Sequence, residues 1–379
     1  MANANDLVVF AMGDRVCNRD DYQAQWEALL PLLREADIRY CQVEQVFSER
    51  GTPCVSASNV LFRVSPKYAA ALKYTGIDVG SPNGNHAMSY GHEAIIDTVT
   101  TLEANGVQCC GAGKDIEQAR KPAILEKKGT RIAFLAYNSI IGVGEAADVD
   151  WPGVAPMRIH TYYEPLELNQ PGMPPRIRTF PEPLDMSAMR EDIQKAREAA
   201  DVVAVAFHWG IHYKRAELSE YQPVVAHAAI DAGADLILGS HPHVLKAIEV
   251  YRGKVIFYSL GNFSCDPLGR WSKARQSASI KTMLEAIARQ VDPEYPFLLN
   301  RPRDVMKTGI AKIVITNKKI SRVSLIPMIT TLDRYMQPLA LAPGSEEFND
   351  MVKYVTEITR EVRINTRFEV AGSEIVVTL

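Results

Sequence analysis

The feature that most limits the fold of this chain is a series of short runs that are apolar at nearly every position. Residues 7–12 (LVVFAM) and 201–207 (DVVAVAF) carry hydrophobic side chains on both faces of any strand they form. Such strands are stable only in a sheet covered on both sides. Residues 39–43, 77–80, 131–136, 235–238 and 254–258 read as further strands, and helical patterns separate them. Residues 91–105 place Ile95, Val99 and Leu102 on one face with Gly106 as the stop, and 186–200 and 219–232 are also helical, the last closed by Gly233. A helix from Asp20 or Asp21 to about residue 36, bent at Pro31, and a helix over 66–74 opening on a proline belong to the first half. Strands buried on both faces and joined by helices predict a layered α/β core.

Two stretches break this rhythm. Residues 142–184 hold eight prolines together with Trp151, Tyr162 and Tyr163 and show little periodicity. An irregular, proline-rich insertion serving as a lid or binding loop is expected there. Residues 264–303 are a second irregular insertion. Residues 311–315 and 320–326 read as a closing hairpin, so the main α/β domain is expected over 1–330. A C-terminal extension, 331–379, with a helix over 346–363, would pack on that domain.

Charge and cysteine content narrow the function classes. Forty-two basic and 45 acidic residues leave a net charge of −3, so neither nucleic acid nor a membrane surface is an expected partner. No apolar stretch reaches the length of a transmembrane helix. The opening MANANDLVVFAMGD has no basic segment and reads as the first strand rather than a secretory signal. The six cysteines form no CxxC pair, as expected of reduced thiols in a cytoplasmic protein. Self-association into a homo-oligomer is left open.

Histidine placement points to the chemistry. Six of eight histidines fall in three clusters, His86 with His92, His208 with His212, and His241 with His243, each in the loop after an expected strand. Asp14 and Glu44 follow the first two strands in the same way, and ligands collect at the carboxyl ends of strands in α/β sheets. Any one of these residues alone would read as a cap, a turn residue or a satisfied core histidine. Five strand ends that each deliver a metal-competent side chain point instead to one shared site. In His241-Pro242-His243, an extended segment would aim both imidazoles the same way. Asp14 and Glu44 supply the anionic oxygens a divalent metal pair requires, Asn85 offers an amide oxygen, and His86 is free for proton transfer or for holding an oxyanion. Tyr90, Tyr258, Cys109 and Cys110 read as packing residues, and His92 as a helix-opening residue.

Gly13-Asp14 with Arg19 (GDRVCNR), Gln42-Val43-Glu44, GNHAMSYG at 84–91, HWG at 208–210, AGADLILGSHPHVL at 232–245 and YSLGNF at 258–263 together resemble the CapA-like, poly-γ-glutamate capsule biosynthesis type family. That family is related to the calcineurin-like metallophosphoesterases. The resemblance covers about residues 7–265 and implies a four-layer αββα sandwich with a dinuclear centre at its strand ends. By motif, it implies that Asp14 binds one metal and Glu44 bridges. Asn85, His208 and His241 would hold the second ion, and His243 would return to the first. It also implies that His86 is the acid or oxyanion partner. Arg19 would bind an anionic substrate group, and His212 would line the pocket. The Asp-x-His opening of metallophosphoesterases is here Asp14-Arg15-Val16, so the first position lacks an imidazole, a lack that CapA-like proteins share.

The reading favoured by these residues is a metal-dependent hydrolase. It would use water activated by one or two divalent ions (Mn, Fe or Zn) on a small organic substrate, through an amide, ester or phosphoester bond. Trp151, His160, Tyr162, Tyr163, Arg176 and Arg178 would suit a ligand with aromatic and carboxylate character. Two other readings stand beside it: a non-catalytic accessory or polymer-binding protein of poly-γ-glutamate-type biosynthesis, and a metal-dependent lyase.

Overall fold

A computed structural model describes residues 6–54, 62–170, 172–264, 302–331 and 337–379. Two sheets form its centre. In spatial order the larger one runs Phe368–Ala371, Glu374–Val377, Lys319–Thr330, Lys307–Thr316, Leu7–Arg15, Ile38–Val43, Val79–Ser81 and Gln108–Cys109, with Asn262–Ser264 also pairing to Leu7–Arg15. The smaller runs Ile248–Tyr251, Lys254–Phe257, Leu236–Ser240, Val202–His208, Thr130–Asn138 and Ala123–Lys127. The strands that carry the site residues pair in parallel in both sheets.

The alternation of side chains explains the apolar runs. Along Leu7–Arg15, Leu7, Val9 and Ala11 join the core between the sheets, while Val8, Phe10 and Met12 join the core on the outer face. Val202, Ala204 and Ala206 face the same inter-sheet core, and Val203, Val205 and Phe207 face the opposite outer layer. Each run is therefore apolar throughout because both of its faces are buried, the condition that makes a sandwich with helices on both sides. His92–Ala104 and shorter helices, among them Tyr22–Trp26, Leu30–Leu33 and Ala70–Tyr74, cover one face. Pro183–Ala199 and Tyr221–Asp231 cover the other. The result is a four-layer αββα sandwich.

Local details differ from the sequence expectation in places. The helix expected from Asp20 or Asp21 is broken into Tyr22–Trp26, a 3-10 turn Glu27–Leu29 and Leu30–Leu33. The segment 142–184 is not irregular throughout. It contains a regular antiparallel hairpin, Ile159–Glu164 with Arg176–Pro181, paired over six positions. Tyr162, Tyr163 and Ile177 stay exposed on it, and strands without a buried face lack the apolar alternation that would have marked them. Most of the second expected insertion, 264–303, lies outside the described residues.

Residues beyond 331 add to the same body. Glu374–Val377 pairs with Lys319–Thr330, so the hairpin expected to close the domain is an interior part of the larger sheet. The helix Glu346–Glu361 opens on Ser345, whose hydroxyl accepts from Phe348 N–H at 3.1 Å. It buries Phe348, Met351, Tyr354, Val355 and Ile358 in the inter-sheet core. Among the described residues, no helix is long and apolar enough to cross a membrane. Cys41 and Cys110 are free and buried, and burial pushes both thiols up to about 12.

Candidate metal centre

The carboxyl ends of the parallel strands supply the site. Asp14 lies at an irregularity in the pairing of Leu7–Arg15 with Ile38–Val43. The preceding Gly13 is required, because a Cβ there would stand 2.0 Å from the Gly261 carbonyl oxygen. That close approach lets Asp14 N–H donate to Gly261 O at 3.0 Å and brings the segment after Lys254–Phe257 over the site. Glu44 directly follows Ile38–Val43, and Asn85 and His86 follow Val79–Ser81. His208 is the last residue of Val202–His208, and His241 and His243 come just after Leu236–Ser240. Their sequence separations are large, but the parallel register puts the strand ends level, with His208 opposite both Ser240 and Asn138.

Two groups of atoms result. His208 Nε2 lies 2.9 Å from Asn85 Oδ1 and 3.1 Å from His241 Nδ1. On the other side, Asp14 accepts from His241 N–H at 3.2 Å and stands 3.4 Å from His243 Nδ1. Glu44 bridges the space between His208 and His86, with one carboxylate oxygen 3.8 Å from each imidazole. One ligand atom each from Asp14, Glu44 and His208 can be chosen within 4.8 Å of one another. Gly84 makes this packing accessible: a Cβ there would meet Gln42 Nε2 at 2.7 Å, Glu44 Oε2 at 2.9 Å and His208 Cε1 at 3.2 Å.

The donor set fits a divalent cation. Asp14 is fully buried, and among the described residues no lysine or arginine lies within ion-pairing distance of it. Burial and the surrounding imidazoles hold the pKa values of His208 and His241 well below the usual histidine value, so both rings are neutral and keep a lone pair. Beside the neutral His208 and His241 rings, the buried Asp14 carboxylate is a place where a bound cation would supply compensating charge. A mixture of carboxylate, imidazole and amide oxygen donors is one that divalent metal ions accept.

His241-Pro242-His243 is not the extended segment expected. His241 and His243 have φ of 92° and 59°, the left-handed region that costs a non-glycine residue about 1–3 kcal/mol. Their ring centres are 6.1 Å apart, so one imidazole serves each side of the site.

The remaining expected residues fall as follows. His86 is buried beside Glu44, with the Phe62 ring packed edge-on at 4.3 Å. His212 is exposed, and its ring lies 3.9 Å from His241 and 5.2 Å from His243. Arg19 makes a two-pronged ion pair with Asp21, at 3.0 and 3.2 Å. His92 opens its helix and packs against Trp151. Two supporting residues were missed. Asn262 Oδ1 lies 2.7 Å from His243 Nδ1, and Ser240 Oγ lies 3.1 Å from His208 Nδ1. Asn262 sits soon after the strand Lys254–Phe257, so the strand-end rule that found the others could have found it.

Carboxylate, imidazole and amide side chains thus gather at the strand ends of a four-layer sandwich. A family model described as bacterial capsule synthesis protein PGA_cap matches residues 6–267, and the chain belongs to that family. It is 29% identical over 281 residues to the PGA biosynthesis protein CapA of Bacillus subtilis, a match covering 74% of this chain and 66% of that one. It is 29% identical over 227 residues to the capsule biosynthesis protein CapA of Bacillus anthracis, covering 59% and 48%. The chain thus spans from about half to just under two thirds of the length of these relatives. Among solved structures, the calcineurin-like phosphoesterase YfkN of Bacillus subtilis aligns with a TM-score of 0.38 and 13% identity, over 94% of this chain and 99% of that one.

Proposed function

We propose that this protein is a metal-dependent hydrolase acting on a small anionic organic substrate. The observation that carries the reading is the convergence of Asp14, Glu44, Asn85, His208, His241 and His243 on one buried point. Asp14 and His243 would hold one cation, Asn85, His208 and His241 the other, and Glu44 would stand between them. A divalent ion supplies a Lewis acid and lowers the pKa of a water it holds.

The chain's own residues do the rest. His86, walled by Phe62 and set beside Glu44, donates a proton to the leaving group or a hydrogen bond to the developing oxyanion. Ser240 and Asn262 fix the rings of His208 and His243, holding each in the tautomer its contact requires. Arg19, which pairs with Asp21, would meet an anionic group of the substrate. The test is metal analysis of the purified, reconstituted protein, followed by a screen of phosphoesters, γ-glutamyl amides and small aromatic acids with and without chelator. One or two tightly held ions and a chelator-sensitive hydrolysis support the reading; a metal-free protein that His208→Ala leaves unchanged overturns it.

One residue favours a second reading, a non-catalytic accessory protein of polymer synthesis. Val16 occupies the position of an imidazole in metallophosphoesterases, and it is buried with its N–H bound to Ser264 O at 2.6 Å. A protein holding at most one ion and hydrolysing none of the three substrate classes would fit that alternative.

A further inference from the structure

Lys246 is a buried lysine with no role in the site as described. Its side chain is among the largest fully buried ones. Among the described residues, no carboxylate lies within ion-pairing distance of its ammonium group. The ammonium donates instead to two backbone carbonyls, those of Lys214 and Glu217, the latter at 2.9 Å. Burial holds its pKa down to about 8, against the opposing pull of Glu217. A buried ammonium without an anionic partner is expensive, and lysine is seldom buried unless paired.

The carbonyls it holds belong to the loop that flanks the candidate centre. That loop follows His208-Trp209-Gly210 and carries His212 and Tyr213. Tyr213 has φ of 59° and Ala216 has φ of 48°, so two non-glycine residues in this loop are left-handed. The loop touches the centre at two rings: His212 lies 3.9 Å from His241, and Tyr213 lies 5.5 Å from His243. A backbone bond, Tyr213 N–H to Pro242 O at 3.0 Å, ties the loop to the histidine turn. Strained backbone persists only where its surroundings over-determine it, and the two carbonyl bonds of Lys246 supply that constraint from below.

We propose that Lys246 is a positioning residue of this site: its ammonium clamps residues 214–217 and thereby stacks the His212 imidazole over His241 and His243 at the mouth of the centre. The inference rests on the hydrolase reading for the consequence of that placement, but not for the placement itself. Held there, His212 presents a ring nitrogen to the anionic part of a substrate as it enters. Freed, the loop relaxes to ordinary backbone angles and carries the ring away.

The experiment has two arms on the full-length chain. The first follows the histidine ring resonances of the metal-free protein by NMR, with the His212 signal assigned by its loss in His212→Ala. In Lys246→Met that signal should move from its ring-stacked position to that of a solvated imidazole, while Lys246→Arg, which keeps the donors, should restore most of the shift. The second arm is a double-mutant cycle on the reconstituted enzyme. Lys246→Met and His212→Ala should each lower turnover by on the order of 10–10², as small misplacements of a site group do. The double variant should be no worse than His212→Ala alone, with metal content unchanged in all three. An unshifted His212 resonance, or losses that multiply, overturns the clamp. Should Lys246→Met not fold, Lys246→Gln is read by the same two criteria. A wild-type protein without bound metal or turnover would remove the hydrolase reading, and the resonance arm would still decide the clamp.

Discussion

The two sides of the candidate centre are built unequally. Around His208, an amide oxygen and a second imidazole nitrogen come within 3.1 Å of one ring nitrogen, and the two imidazoles are kept neutral by burial. Around Asp14, one imidazole approaches to 3.4 Å, and Val16, two positions on, offers no donor side chain. The first side is dense in uncharged nitrogen and oxygen donors; the second depends on a carboxylate and on the orientation of His243. The difference teaches that side chains meeting at one set of strand ends can still be distributed unequally between its two sides. It predicts unequal affinities, with the tighter ion on the His208 side.

The strongest way to break this comparison is to remove the dense side. His208→Ala should abolish binding of the tighter ion and lower turnover by on the order of 10⁴ or more, since Lewis-acid and water-activating contributions go together. Elemental analysis with steady-state kinetics checks it; equal metal loss in His208→Ala and Asp14→Ala would refute the asymmetry. His86→Gln comes next. Turnover should fall by on the order of 10²–10⁴ while metal content stays intact, because the ring is assigned to proton transfer and not to ligation. Loss of metal in that variant would move His86 into the ligand set.

Smaller effects sharpen the weaker side. Asn262→Ala frees the His243 ring and should weaken the second ion by about 10–100-fold with little change in the first, the usual consequence of removing a group that orients a ligand. Competitive titration with a coloured chelator resolves the two. The smallest expected effect concerns pH. In the folded, metal-free protein His208 and His241 stay neutral well below the ordinary histidine pKa, whereas in the unfolded chain they take up protons near 6.5. The unfolded state then binds more protons, so stability should decline as pH falls below about 6.5. Denaturant melts of the metal-free protein at pH 7.5 and 5.5 test this, and the decline should shrink in His208→Gln. An unchanged slope in that variant would mean that other groups carry the acid sensitivity.

Much of this molecule is legible along the chain because both periodicity and strand-end placement are local properties. The apolar runs at 7–12 and 201–207 show strands covered on both faces, and the face they present alternates between two cores. The amphipathic spacing of Ile95, Val99 and Leu102 marks the helix His92–Ala104. What escaped notice had either mixed exposure or a partner remote in sequence. The hairpin Ile159–Glu164 with Arg176–Pro181 has most of its side chains in solvent, so no apolar pattern betrays it. The helix Glu346–Glu361 displays an apolar stripe, but nothing in its sequence says that the stripe meets Ile248 and Val323.

For the site, the sequence by itself determined the kinds of atoms offered and the strand ends that offer them: carboxylates at 14 and 44, an amide at 85, imidazoles at 86, 208, 241 and 243. Tertiary structure alone decided which of them meet. The left-handed turn at His241 and His243 sends the two rings to opposite sides, Gly13 and Gly84 let backbones approach closely enough to bury Asp14 and Glu44, and Lys246 reaches up to the loop that bears His212. Those choices depend on contacts between residues more than two hundred positions apart, and no local pattern encodes a distance between strands that only packing brings side by side.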